Sequence, residues 1–258
     1  VSTRGGDAEE LLRSDLRPGA PPREPSAGQP VRVAINGAGR IGVNLIRAWL
    51  QNPRRFEIVA LNDIAFHFER FGEGSLKNFV ELLEGEFATA PRSLFSRVQT
   101  EFEYGGDAAQ GYWIAINGHR IGVTDTRDPA ELPWGAQGID LVLESTGVFT
   151  NSEAAAKHLQ AGAKKVVITA PATGEVQTIA PGVNQELLDP AQTILSCASC
   201  TTNAIAPPLK LLNEALGIEQ FYMSTTHAFT ADQAVKDTIR PGAPQRGREA
   251  STNIIPTS

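Results

Sequence analysis

The sequence predicts an α/β protein with a doubly wound parallel sheet, and three observations carry that expectation. A β-branched run, Val31 to Ile35, feeds a glycine turn, NGAGRIG, which opens an amphipathic stretch. Short apolar strands then alternate with helical segments, the pattern of parallel sheets whose crossovers are helices. A second strand, Phe56 to Leu61, ends in Asn62-Asp63 and so places a carboxylate 21 residues beyond Gly42.

Before the first strand, residues 1–30 carry five Pro and four Gly with charges of both signs, which reads as a flexible tail. The acids Asp7, Glu9, Glu10, Asp15 and Glu24 argue against a transit-peptide remnant. After that strand, Gly37, Gly39 and Gly42 fit G-x-G-x-x-G. The first glycine permits the turn, the second admits a pyrophosphate to the backbone, and the third lets helix and strand pack closely. The helix, VNLIRAWLQ, stops at Asn52-Pro53, and its N-terminus offers N–H groups and partial positive charge to phosphates. Asp63 is expected to hold the adenosine ribose hydroxyls and to repel a 2′-phosphate, which favours NAD over NADP. Residues 112–116 and 119–123, joined by Asn117-Gly118, predict a hairpin. Two more strands, Asp140 to Thr146 and Lys165 to Thr169, flank the helical segment NSEAAAKHLQAGA. Ligands bind beyond the carboxyl ends of such strands, so Thr146, Gly147 and Thr169 are expected to face the cofactor crevice.

Both cysteines fall in LSCASCTTNAIAPP, residues 195–208. Ile205, Leu209, Leu212 and Leu216, followed by Gly217, predict a helix to about Leu216 with Cys200 at its front edge. A helix N-terminus stabilises thiolate, so Cys200 is expected to have a lowered pKa, while Cys197 sits on the preceding strand without that help. The next strand, Phe221 to Thr226, delivers His227. A structural zinc site wants about four ligands. Beyond the cysteines only His67, His119, His158 and His227 are present, with no paired spacing, and no metal is expected. A Cys–His pair for covalent chemistry beside a hydride acceptor fits better than a dithiol. The alternative for His227 is a structural role.

A net charge of -6 gives no electrostatic support for nucleic acid or an anionic membrane. No apolar run approaches the roughly 18 residues needed to span a bilayer. With 41% hydrophobic and 20% charged residues, an ordinary soluble core is expected. Two cysteines do not make a secreted disulfide scaffold, so a reducing, cytoplasmic compartment is expected, with a plastid as the alternative.

The motifs INGAGRIG, ND, LVLESTGVFT, HLQAGAKKVVITAP, GVN, ASCTTN, THAFTADQ and NIIPTS, in this order, resemble the phosphorylating glyceraldehyde-3-phosphate dehydrogenases. The resemblance runs from about residue 31 to residue 258, apart from roughly 65–110. It implies a Rossmann-type NAD-binding domain over 31–199, followed over 200–258 by the first part of an α+β catalytic domain. It implies Cys200 as nucleophile and His227 as its base and acid–base partner. Ser199, Thr201, Thr230 and Arg246 would hold substrate or inorganic phosphate. Asn36, Gly37, Gly39, Arg40, Ile41, Asp63, Arg127, Thr146, Gly147 and Thr169 would bind NAD, with Asn62 beside Asp63 in the adenosine pocket. The activity implied is oxidation of glyceraldehyde 3-phosphate to 1,3-bisphosphoglycerate through a thiohemiacetal and a thioester, by a homotetramer as the full-length protein. An erythrose-4-phosphate dehydrogenase, or a silent NAD-binding paralogue acting through protein contacts, are the alternatives.

Three departures from the family pattern stand out. Cys197 replaces a usual Asn, which leaves two readings open: a reversible Cys197–Cys200 bridge, or a small buried residue. Ala231 also replaces an Asn. The family's stretch between Ile64 and Gly111 is not recognisable. Family members continue well beyond the position of Ser258, so a fragment lacking the C-terminal part is expected, one that binds cofactor without turnover.

Overall fold

A computed structural model describes residues 30–53, 56–89, 100–230 and 233–256. The expected tail, apart from residue 30, and Ala231 lie outside these residues. The chain divides into two compact units, one up to Leu216 and one from Gly217 onward.

The first unit is built on a single sheet of nine strands among the described residues. They are β1 (Val31–Asn36), β2 (Phe56–Asn62), β3 (Phe102–Asp107), β4 (Gly111–Ile116), β5 (His119–Thr124), β6 (Leu141–Glu144), β7 (Lys165–Ile168), β8 (Gln177–Thr178) and β9 (Ile194–Ser196). Their order is β3-β4-β5-β2-β1-β6-β7-β9-β8. From β5 to β8 neighbouring strands run parallel, while β3, β4 and β5 form an antiparallel edge. The chain moves outward from β1 to β2 and later returns to lay β6 on the other side of β1. That reversal opens a crevice at the carboxyl ends of β1 and β6, where such sheets take ligands.

Helices cover both faces because both faces are apolar. On one side α1 (Arg40–Gln51), α2 (Phe68–Phe71) and α3 (Gly74–Thr89) bring Ile46, Trp49, Phe68, Leu76 and Leu83 onto Ile35, Ile58, Leu61 and Ile114. On the other, α4 (Ser152–Gln160) and the loop before β6 bring Ala155 and Trp134 onto Ala34, Ala60, Val142 and Val166. Val33 pairs with Ile58 but Ala34 with Ala60, so Val59 is an extra residue in β2. This bulge explains how Ile58 and Leu61, three apart, reach the same core.

The expected hairpin is present. Asn117 and Gly118 both have positive φ, 50° and 79°, the requirement of a two-residue type I′ turn between β4 and β5. The stretch after β2 that carries no family motif folds largely as helix. Asp63 caps a 3-10 turn, Ile64–Phe66, and α3 then buries Leu76, Phe79, Val80 and Leu83.

Two expectations are corrected. β9 ends at Ser196, so Cys197 lies just beyond the strand rather than on it. No strand forms over 221–226, because no hydrogen-bonding strand partner exists for it among the described residues of the second unit. Separately, the compact units divide after Leu216, downstream of the domain boundary expected before Cys200. The helix in between, α5 (Cys200–Leu216), is tied into the first unit through Lys210 Nζ, which donates to the Val183 carbonyl at 2.9 Å.

Candidate functional site

The crevice is a cavity of about 310 Å³ bounded by four strand ends. Asn36, Gly37 and Gly39 come from β1, Asn62, Asp63 and Ile64 from β2, Thr126 and Arg127 from beyond β5, and Ser145, Thr146, Val148 and Phe149 from beyond β6. The three glycines have separate reasons to be glycine. Gly37 turns with φ +102°, and a Cβ there would lie 2.7 Å from the Ser145 carbonyl carbon. A Cβ on Gly42 would lie 2.0 Å from the Gly37 carbonyl oxygen, so helix and turn touch through backbone. A Cβ on Gly39 would meet nothing within 4 Å. The space beside Gly39 is therefore open on the cavity side, as a cradle for a ligand would be. Gly39 is also the N-cap of α1 and supplies no side-chain cap, which leaves the first amides of the helix for an anion. Arg40 and Ile41, the first two residues of α1, are exposed.

Asp63 is half-buried at the cavity wall and works harder than the sequence implied. Its Oδ2 accepts from Ala38 N at 2.6 Å, clamping the glycine turn to the end of β2. Its Oδ1 accepts from Ala65 N at 2.8 Å. Each carboxylate oxygen has a second lone pair, so the pair remains able to accept ribose hydroxyls. Thr146 lines the cavity, but its N–H and hydroxyl both donate inward to Glu144. Thr169, just past the end of β7, has its hydroxyl on the Glu144 carbonyl at 3.0 Å, and Gly147 turns with φ 73°; neither lines this cavity. Arg127 borders both this cavity and a second one of about 430 Å³ that His67, Glu69, Arg70 and Asp125 also line. Ile64, Val148 and Phe149, which give the crevice its apolar walls, were not singled out from the sequence; position just past a strand end was the available signal.

The cysteine segment is shaped by local hydrogen bonds. Ala198, with φ 65°, turns the chain between the two cysteines. Ser199 then caps α5: its Oγ accepts from Thr202 N at 2.9 Å and lies 2.8 Å from the Thr202 hydroxyl. The Asn203 carboxamide donates to the carbonyls of Cys197 and Ser199 at 2.7 and 2.9 Å, fixing the turn from the helix side. Cys200 is thereby the first residue of α5 and is exposed, with Thr201 half-buried behind it. Cys197 is half-buried, and that burial pushes its thiol above the ordinary value. In the second unit His227 is exposed, with Nδ1 2.6 Å from the Ala228 carbonyl oxygen. A carbonyl only accepts, so Nδ1 carries the proton. Thr230 N donates to Gln233 Oε1 at 2.9 Å, and Arg246 is half-buried in the 3-10 turn Pro244–Gly247.

Comparison with known proteins meets this geometry from outside. Residues 91–152 match the family described as glyceraldehyde 3-phosphate dehydrogenase, NAD binding domain, and residues 199–258 match its C-terminal domain. The chain belongs to the glyceraldehyde-3-phosphate dehydrogenase family. It is 43% identical over 229 residues to a glyceraldehyde-3-phosphate dehydrogenase of Kitasatospora aureofaciens, covering 88% of this chain and 62% of that one. The same figures hold for glyceraldehyde-3-phosphate dehydrogenase 1 of Bacillus subtilis. The chloroplastic glyceraldehyde-3-phosphate dehydrogenase A of Zea mays is 40% identical over 242 residues, covering 93% of this chain and 55% of the maize protein. The chain thus spans under two thirds of the length of these dehydrogenases.

Proposed function

We propose that this chain carries the cofactor crevice and the nucleophile of an NAD-dependent, phosphorylating glyceraldehyde-3-phosphate dehydrogenase. The observation that carries the reading is Cys200, exposed as the first residue of α5, in the same unit as the glycine crevice. In this reading the Cys200 thiolate adds to the aldehyde carbon of glyceraldehyde 3-phosphate, and the carbonyl oxygen takes up a proton to give a hemithioacetal. The acid–base role in these steps, receiving first the thiol proton and then the hydroxyl proton, is assigned to His227 on the resemblance of THAFTADQ to the family. NAD held in the crevice would supply the hydride acceptor for that carbon, which would leave a thioester on Cys200. Inorganic phosphate attacks the thioester carbon, the C–S bond breaks, and the products are 1,3-bisphosphoglycerate and the Cys200 thiolate. Ser199, Thr201, Thr230 and Arg246 supply donors for the two phosphate groups. Gly39 and the opening amides of α1 take the pyrophosphate, and Asp63 takes the ribose. A homotetramer in the cytoplasm is the assembly we assign to the working enzyme.

Two measurements on the chain test this. Calorimetric titration is expected to show saturable NAD⁺ binding. Mass-spectrometric timing of iodoacetamide labelling near neutral pH is expected to show Cys200 reacting at least about tenfold faster than Cys197, because burial keeps the latter protonated. Millimolar glyceraldehyde 3-phosphate should protect Cys200 by occupying its sulfur. Absence of NAD⁺ binding together with no protection would refute the assignment.

A further inference from the structure

Behind the crevice wall lies a set of polar side chains that line no part of the cavity. Glu144, at the end of β6, is 1% exposed; His158, in α4, and Trp134, before β6, are fully buried. Trp134 Nε1 lies 3.0 Å from His158 Nδ1. An indole N–H only donates, so Nδ1 must hold the lone pair and the proton of the neutral ring sits on Nε2. Nε2 in turn meets Glu144 Oε2 at 2.9 Å. Asn36 Nδ2 donates to the same oxygen at 2.6 Å, and the 3.5 Å between Asn36 Nδ2 and His158 Nε2 is the spacing of two donors that share it. Glu144 Oε1 accepts the Thr146 N–H at 2.8 Å and the Thr146 hydroxyl, whose own oxygen accepts Val148 N at 3.1 Å. Four donors converge on one carboxylate, and among the described residues no lysine or arginine forms an ion pair with it.

The hydrogen bonds continue on the far side of Asn36. With its Nδ2 committed to Glu144, Asn36 Oδ1 accepts from Asn62 Nδ2 at 2.7 Å. Asn62 Oδ1 then accepts from the Thr124 hydroxyl at 2.8 Å and from Thr126 N at 2.9 Å. A belt of side-chain hydrogen bonds thus crosses the carboxyl ends of β6, β1, β2 and β5, the four strands whose ends wall the crevice. Amide groups can be turned either way; in this belt each orientation follows from its neighbour. The only donor-only side chain at an end of it is the indole.

We infer that Trp134, His158 and Glu144 are positioning residues of the crevice: the indole selects the Nε2–H tautomer of His158, the imidazole then donates to Glu144, and Glu144 holds in place Asn36, at the end of β1, and Thr146, just beyond the neighbouring β6. The inference rests on the dinucleotide reading of the crevice. None of the three touches a ligand. They act through Asn36, Thr146 and Val148, which do line the cavity. The Thr146 hydroxyl, its proton spent on Glu144, is left as part of the wall rather than as a donor to the cofactor.

The test compares the parent chain with Trp134→Phe, His158→Ala and His158→Gln. Loss of one buried hydrogen bond in such a relay is expected to weaken NAD⁺ binding about tenfold, read as Kd by calorimetry, in Trp134→Phe and in His158→Ala. A glutamine carboxamide donates to Glu144 while accepting from the indole, so His158→Gln is expected to recover most of the affinity. Nitrogen-15 NMR of labelled histidine supplies a reading that a merely structural role would not move. His158 should be the Nε2–H tautomer in the parent and lose that fixed preference in Trp134→Phe. Kd values within twofold of the parent in Trp134→Phe, or an Nδ1–H tautomer in the parent, overturn the inference. If His158→Ala does not fold, Trp134→Phe and His158→Gln decide alone. A parent that binds NAD⁺ with unaffected variants removes only this inference; a parent that does not bind removes the dinucleotide reading as well.

Discussion

A single methyl group separates the duties of Gly39 and Gly42. At Gly42 the added Cβ would press on the Gly37 carbonyl, and neither backbone can yield without moving a helix or a turn. Gly42→Ala is expected to destabilise the fold by about 1–3 kcal/mol or more, as overpacking does, and to weaken NAD⁺ as the turn shifts. At Gly39 the methyl meets no protein atom. Gly39→Ala should leave the thermal midpoint nearly unchanged while NAD⁺ affinity falls, since the methyl stands where phosphate oxygens approach the backbone. Calorimetry and melting curves on the two variants check this, and equal losses of stability would contradict it. Asp63 illustrates the same scale differently. Its type and position were legible from the spacing after the glycine turn. Its bond to Ala38 N was not, because that contact joins two segments 25 residues apart.

Among the elements, α5 shows how much is written locally. Ser199 caps it, Asn203 reaches back to fix the turn, and the helix runs on past Pro207 and Pro208 to Leu216. Ser199→Ala removes the acceptor for Thr202 N and is expected to cost about 0.5–2 kcal/mol. Hydrogen exchange should show the Thr202 amide losing protection before the middle of the helix does. Unchanged exchange would mean that the cap contributes nothing. α3 is the opposite case. Its residues carry no motif, and their helix is fixed by Leu76, Phe79, Val80 and Leu83 packing on strands at the far side of the sheet. Residues 221–226 have the composition of a strand, yet a strand exists only beside another strand to share its hydrogen bonds.

For the molecule as a whole, acid is the informative perturbation. Asp140 ties the start of β6 to its neighbours: Oδ1 accepts from Lys164 Nζ at 2.6 Å and Oδ2 from Arg32 N at 2.9 Å. The Lys164 hydrogen bond, then that of Arg32, lowers its pKa below the ordinary 3.8. Asp128 is lowered by the Ala130 N–H first and Lys157 second. Both carboxylates are depressed on folding, so their stabilisation is present above the unfolded value and is lost as pH falls through the folded one. The thermal midpoint should hold steady down to about pH 5 and decline below about pH 4. Asp140→Asn should decline less steeply over the same range, and salt should flatten both curves because these pairs are partly exposed. An identical slope in the variant would remove Asp140 from the account.

By itself the sequence determined what depends on neighbours along the chain. The glycine turn, the Asn117-Gly118 hairpin, the parallel strands and the helix that begins at Cys200 follow from spacing and local backbone chemistry. The tertiary structure alone decided which side chains hold the crevice in shape. Glu144 and Asn36 are 108 residues apart, and Asn62 and Thr126 are 64 apart. No pattern of composition or period encodes such pairs, because their hydrogen bonds exist only once the sheet has brought four strand ends side by side.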